Sequence, residues 1–322
     1  MEFSSSICYN FFMINFEFNY SKYFKCISSR CKHNCCLNWD ISIDKRAYKK
    51  YLERAKNDSR FLENVTFSKQ GFLLNESKRC PFLEDDNLCY IIKKYGEKDL
   101  CLTCKTHPRF KNFFTSITET GLGLYCEEAC RIILSLKPKM KTILVSDKGA
   151  NKPLSPFEKK VFAFRNKALT IIQDRKISTE EKLSKLTALH NIDLDKLSLK
   201  AWIKEFSFLE RLDEVADEIF NKLLVKERFS PIEKDFTREF EQLLAYLTYR
   251  HLSRAIDSLD LRVRLAFVVL AFRIILEIFN LTSKDFSSLV ESCRVFSAEI
   301  ECSDQNIFAI LNKIESLVNF IN

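Results

Sequence analysis

Eleven of the thirteen cysteines fall between Cys8 and Cys130, and this clustering constrains the chain more than any other feature. The N-terminus shows no secretory signal. It lacks a basic leading region and carries Glu2, and its apolar stretch from Ile7 to Ile14 is broken by Asn10 with no small-residue cleavage site. The chain therefore reads as cytoplasmic, where thiols stay reduced and dense cysteines serve as metal ligands or redox groups. Cys26, Cys31, Cys35 and Cys36 form C-x4-C-x3-C-C, Cys80 and Cys89 bracket CPFLEDDNLC, Cys101 and Cys104 form C-x2-C, and Cys126 and Cys130 form C-x3-C. Thiolates are soft donors suited to zinc or iron–sulfur clusters. A site gathered from such scattered pieces would staple an irregular region with little hydrophobic core of its own. Cys35 and Cys36 point to opposite faces of a strand and diverge by about 100° on a helix, so they need not share a metal, and one site or two are both open. His33 and His107 read as bystanders among plentiful thiols. Cys8, Cys293 and Cys302 read as cysteines packed like small hydrophobes.

The rest of the chain favours helices. Only 5 glycines and 6 prolines occur in 322 residues, too few for many tight turns. The expected fold is mainly α: an irregular cysteine-rich metal-binding N-terminal module followed by a helical bundle or array. Residues 1–23 read as an N-terminal extension, with Met13 a second candidate start. Residues 24–136 read as the cysteine-cluster domain, 137–156 as a linker punctuated by Pro138, Gly149, Pro153 and Pro156, and 157–322 as the helical domain. Helices are expected after Asp44, around Ala129 to Leu136, from Pro156, and after Ser178 with its capping partner Glu181. One or two more span Leu197 to Val225, another opens at Pro231, and Thr282 and Ser303 are candidate caps for the last two. The apolar run Leu265 to Phe279 is shorter than the roughly 20 residues of a membrane span and contains Arg273 and Glu277, so it reads as a core helix. The net charge of +8 is modest and interspersed, which speaks for a solvated surface and against nucleic acid as a partner.

Several nucleotide signatures are absent. The C-x3-C-x2-C spacing of radical S-adenosylmethionine enzymes does not occur, nor do G-x-G-x-x-G or a Walker loop; Gly121 and Gly123 make only a lone G-x-G. Four blocks are distinctive: FKCISSRCKHNCCLNWDISID from Phe24 to Asp44, CPFLEDDNLC from Cys80 to Cys89, GEKDLCLTCKTHPR from Gly96 to Arg109, and ETGLGLYCEEA from Glu119 to Ala129. In their order and spacing the chain resembles the bacterial flagellin lysine-N-methylases of the FliB type, within the wider CxxCxxCC group of metal-cluster proteins. The resemblance implies S-adenosylmethionine-dependent methyl transfer to flagellin lysines, with a [4Fe–4S] cluster and with zinc as the alternative metal. Carried over by motif, the metal ligands are Cys26, Cys31, Cys35, Cys36, Cys80, Cys89, Cys104 and Cys126. Cys101 and Cys130 lie outside that pattern. His107 stands where the family usually has tyrosine, and Glu127 where it usually has proline.

A lysine amine, with an ordinary pKa of about 10.4, must lose its proton before it attacks a methyl carbon. Asp44, Glu97 and Glu119 are the candidate catalytic carboxylates, with Asp40 beside them. Trp39 and Arg109 are the candidate donor-binding residues, through ring stacking and carboxylate binding; Tyr48 could stack or pack. The partner implied is flagellin or another lysine-bearing protein. The rival reading is a non-enzymatic zinc or iron–sulfur protein whose helices bind a partner.

Overall fold

The computed structural model describes residues 13–37, 41–66, 70–76, 78–149, 152–212, 214–232 and 236–318. Its elements begin with β1 (Ile14–Phe18), α1 (Lys45–Ala55), α2 (Ser59–Asn64), β2 (Val65–Thr66), β3 (Gly71–Phe72), α3 (Tyr90–Tyr95) and α4 (Leu102–Thr106). Next come β4 (Arg109–Phe113), β5 (Ile117–Leu122), α5 (Glu127–Leu134), β6 (Thr142–Asp147), α6 (Pro156–Ile172) and α7 (Thr179–His190). The chain ends in α8 (Leu199–Ser207), α9 (Glu214–Leu223), α10 (Thr237–Leu252), α11 (Ser258–Phe279), α12 (Phe286–Phe296) and α13 (Asp304–Glu315). The fold is mostly helical with a cysteine-rich front region, as expected, and it adds a small sheet. Two compact units emerge. One is built from Lys25–Arg109 and Cys126–Glu128, the other from the remaining described residues.

The cysteine unit carries a hydrophobic core of its own, contrary to expectation. Ile41, Ile43, Ala47, Tyr51, Phe61, Phe72, Phe82 and Ile91 are buried together with Cys80 and Cys101. Its aromatic rings interlock: Phe61 lies 5.0 Å from Tyr51 and 4.8 Å from Phe82, which lies 4.9 Å from Phe72. The sequence hides this core because its contributors sit singly, outside any long periodic helix.

The second unit begins with a four-stranded sheet in the order β4-β5-β1-β6. β1 runs parallel to β5, with Ile14 opposite Ile117, and antiparallel to β6, with Phe18 opposite Thr142. Two expectations are corrected here. The segment read as an N-terminal extension supplies an inner strand, and the segment read as a linker supplies the edge strand β6. Residues 110–125 and 129–136 also belong to this unit and not to the cysteine unit. The reason is local: in β4, Phe110 and Asn112 are buried while Lys111 and Phe113 face out, the period-2 pattern of a half-buried strand. The lone G-x-G is a packing feature. A Cβ on Gly121 would stand 2.5 Å from the Phe110 ring, and one on Gly123 would stand 2.1 Å from that of Tyr125.

Helix starts follow capping chemistry. Ser155 with Glu158, and Ser178 with Glu181, form reciprocal capping boxes, and Pro156 holds the first turn of α6. Ser303 caps α13 as expected. α10 begins at Thr237, beyond Pro231, and α12 is capped by Asp285 in place of Thr282. The region 197–225 divides into α8 and α9. α11 is buried nearly all round and packs against α7, α10, α12 and α13, so it is the core helix anticipated from Leu265 to Phe279. Its Glu277 carboxylate is satisfied by the Ser230 amide at 2.5 Å and the Lys226 ammonium at 2.9 Å. Among the described residues, no helix is long and apolar enough to cross a membrane.

Candidate functional site

Six thiols meet in the cysteine unit, delivered by three segments whose backbones explain their convergence. At the first, the Asn34 side chain accepts the Cys36 amide at 2.9 Å and turns the chain. That turn lets the Cys36 thiol hydrogen-bond both Cys35 and Cys80. Leu37 pairs with Arg79 in a short antiparallel bridge, and the Cys80 amide donates to the Cys36 carbonyl at 2.8 Å, locking the first segment to the second. Within the second, Leu83 bridges to Cys89 around a turn in which Asn87 takes a left-handed conformation (φ 59°) and Asp86 accepts the Leu88 amide. This returns Cys89 toward Cys80. The third segment is the start of α4, where Cys101 is the cap residue and Cys104 lies one turn on, so their thiols hydrogen-bond.

The electrostatics of this group split its sulfurs into three lowered and three raised thiols. The hydrogen bond from Cys36 lowers Cys35 to about 7 and also lowers Cys80. Cys104 does the same for Cys101. The donors Cys36 and Cys104 are correspondingly raised, and burial raises Cys89. Thiolate is the metal-binding form, and the donor set fits zinc or an iron–sulfur core in its chemistry. The grouping is one of proximity: among the described residues, no three His, Cys, Asp or Glu side chains stand ready to hold an ion as they lie.

The other candidate cysteines have different neighbours. Cys31 donates to the His33 carbonyl at 3.2 Å and approaches Glu127 Oε2 at 3.6 Å, with Cys126 nearby, and burial pushes its thiol up to about 12. Glu127 also accepts the Lys32 amide at 2.8 Å. Cys26 is exposed and accepts the Ser28 amide at 3.4 Å. Cys101, ranked outside the pattern, is fully buried in the six-thiol group; its C-x2-C spacing was the available signal. Cys130 packs in the other unit, donating to the Val290 carbonyl at 3.4 Å. Burial lowers His107 to about 4, keeping it neutral.

Each of the three candidate carboxylates has its own local surroundings. Asp44 caps α1 through the Arg46 and Ala47 amides and also accepts the Leu102 amide at 2.7 Å, tying α1 to α4. Glu97 is exposed on a 3-10 turn that follows Gly96, whose positive φ of 83° suits glycine. Glu119 lies on β5 in the other unit, with both oxygens held by Arg165 at 2.6 and 2.7 Å. Arg109 is exposed at the start of β4, and Tyr48 packs against the cysteine unit's core. Trp39 and Asp40 lie outside the described residues.

Among the depressed carboxylates of the cysteine unit are the three aspartates Asp44, Asp58 and Asp99. Burial opposes the ionisation of each, yet hydrogen bonds outweigh it: backbone amides at Asp44, Tyr90, Tyr95 and Lys94 at Asp58, and Lys50 and Arg54 at Asp99. A depressed folded-state pKa contributes stability that is complete above the ordinary value of 3.8 and is lost as pH falls toward the folded value, about 2 for Asp58. The unit's thermal midpoint, followed by circular dichroism, should hold above about pH 5 and fall steeply below about pH 4. A flat midpoint down to about pH 2 would contradict these three assignments.

Comparison with known proteins now adds its weight. No family model matches the chain, and no solved structure matches it significantly. It is 30% identical over 173 residues to the lysine-N-methylase of Salmonella typhimurium, a match covering 50% of this chain and 42% of that protein. A second lysine-N-methylase, from Salmonella choleraesuis, is 30% identical over 174 residues, 43% of its length. The flagellar biosynthetic protein FliU of Salmonella muenchen is 31% identical over 122 residues, and the match takes in 72% of it. The chain belongs to the FliU family. Within this family its match spans less than half the length of each lysine-N-methylase.

Proposed function

We propose that this FliU-family chain is a protein-lysine N-methyltransferase that uses S-adenosylmethionine and acts on flagellin. The observation carrying this reading is its similarity to two lysine-N-methylases over half its length. In the reaction, the lysine nitrogen lone pair forms the new bond to the methyl carbon as the carbon–sulfur bond of the sulfonium breaks. S-adenosylhomocysteine leaves and the amine proton passes to a base or to water. Of the three carboxylates read from the sequence, Glu97 is exposed to solvent, which supports it as the candidate proton acceptor.

We further propose that four of the thiols of Cys35, Cys36, Cys80, Cys89, Cys101 and Cys104 supply the ligands of a [4Fe–4S] cluster, with zinc the alternative. A bound inorganic core would supply a negatively charged cross-link among three segments of the unit. The burial of Cys80 and Cys101 within the hydrophobic core supports that stapling role.

The test incubates anaerobically purified protein with S-adenosylmethionine and flagellin, with mass spectrometry of the flagellin peptides. Lysine-specific mass increments of one methyl group are expected. No transfer, together with no binding of S-adenosylmethionine, would leave the non-enzymatic metal-protein reading in its place.

A further inference from the structure

One lysine of the cysteine unit is held by more chemistry than a surface lysine needs. The Lys94 ammonium donates to Asp58 Oδ2 at 3.0 Å and to the Tyr90 hydroxyl at 2.7 Å. It stands 5.2 Å from the centre of the Tyr90 ring and 5.4 Å from that of Tyr95. Those rings meet nearly at right angles, 81° apart with centres 6.4 Å apart, and form a corner. Both phenols donate to Asp58 Oδ2, at 2.7 and 2.8 Å, which leaves their oxygen lone pairs free to accept an N–H. Each ring is backed by a guanidinium, Arg60 at 4.3 Å from Tyr90 and Arg54 at 4.1 Å from Tyr95. Those charges are answered elsewhere, Arg60 by Glu84 and Arg54 by Asp99.

The receptor's carboxylate is buried and its occupant is half-exposed. The Asp58 side chain is 6% exposed and the Lys94 side chain 47%. The two phenol bonds already tie α3 to the start of α2, so the Lys94 contact is an addition to that anchor. Only the Lys94 half of the pair is exposed, so an ammonium from outside reaches the corner by replacing Lys94 at the same carboxylate. Beside the corner opens a cleft of about 290 Å³ lined by Lys50, Glu53, Arg54, Asn57 and Tyr95, so Tyr95 is a wall of both.

We propose that Asp58, Tyr90 and Tyr95 form a recognition site for the ε-ammonium of a lysine presented by a partner protein, with Lys94 as its occupant in cis. An ammonium offers three N–H donors to the carboxylate and phenol oxygens and a cation to the ring faces. The partner lysine gains the contacts Lys94 gives up, and its flanking residues reach the adjoining cleft. Asp58 stabilises the charged ammonium, so this site selects the lysine and does not deprotonate it. Its place in a methylation cycle rests on the methyltransferase reading; the binding itself does not.

The probe is Nα-acetyl-lysine methylamide, titrated into the full chain and followed by nuclear magnetic resonance. Lys94→Met should tighten binding several-fold, because the internal competitor is gone. Adding Asp58→Asn or Tyr95→Phe to that variant should weaken it by about tenfold or more. The trimethylated probe, with no N–H to donate, should bind at least about tenfold less tightly than the unmodified one. Asp58→Asn also touches the α2 cap, so Tyr95→Phe, checked for folding by circular dichroism, carries the decision if Asp58→Asn unfolds. The proposal is overturned if folded Lys94→Met shows no saturable binding, or binds equally well after Tyr95→Phe. Probe binding without methyl transfer would retain this site and remove the methyltransferase reading; the reverse pattern would do the opposite.

Discussion

If the proposed cluster is held by these thiols, replacing Cys101 by serine will lower the metal content of anaerobically isolated protein and the unfolding midpoint of the cysteine unit, and Cys80→Ser will do the same. Both thiols are buried in that unit's core and each is hydrogen-bonded to a neighbouring thiol. Two effects add. A serine hydroxyl in an apolar site with a lost partner costs about 1–3 kcal/mol. Loss of a ligand to a structural metal removes a larger share, since metal binding to such sites is itself folding free energy. In a unit this small each kcal/mol moves the midpoint by about 4–8 °C, so a fall of more than about 10 °C is expected. Alanine separates the two effects: Cys101→Ala keeps the site apolar and should still lose the metal. Cys302→Ser, at an exposed position in the other unit, should change neither reading. Iron, zinc and sulfide content per chain, with the absorption spectrum, gives the answer. Undiminished metal in both Cys80→Ser and Cys101→Ala would make these thiols ordinary packing groups.

That experiment bears on how much of the molecule was legible in the sequence. The cysteine blocks are visible as spacing, which marks all six converging thiols, while the family motif names five of them and leaves out Cys101. Cys101 was ranked outside because motif position was weighed above the C-x2-C spacing, which a helix start turns into thiol contact. Capping boxes at Ser178 and the core character of Leu265 to Phe279 were legible because both are local signals. The sheet was not. β1 has five residues, and its meaning depends on partners at Ile117 and Thr142, about a hundred positions away. No window on the chain contains that information. The same holds for the Asp58, Tyr90 and Tyr95 corner, whose members are polar residues of no periodic pattern until α2 and α3 bring them together.

The sequence also could not tell a reactive acid from a structural one, and Glu119 shows why the difference matters. Its carboxylate is 2% exposed and is gripped bidentately by Arg165, which is 3% exposed and donates in addition to Ser253 at 2.6 Å. Phe162 and Tyr249 flank the guanidinium at 4.7 and 4.8 Å, so little water can screen the pair. Arg165→Leu leaves a buried carboxylate without its counter-charge, with only the Asn112 amide at 3.4 Å remaining. A loss of about 3–5 kcal/mol in the stability of this unit is expected from denaturant unfolding. Glu119→Gln should also be costly, because it strands the guanidinium. The double replacement Glu119→Leu with Arg165→Met should recover most of the loss, since an apolar pair of similar volume no longer carries the desolvation penalty. Recovery in the double variant identifies Glu119 as half of a structural ion pair that fastens β5 to α6. If Arg165→Leu costs less than about 1 kcal/mol, the carboxylate is better solvated than its burial indicates and returns to the list of acids available for chemistry.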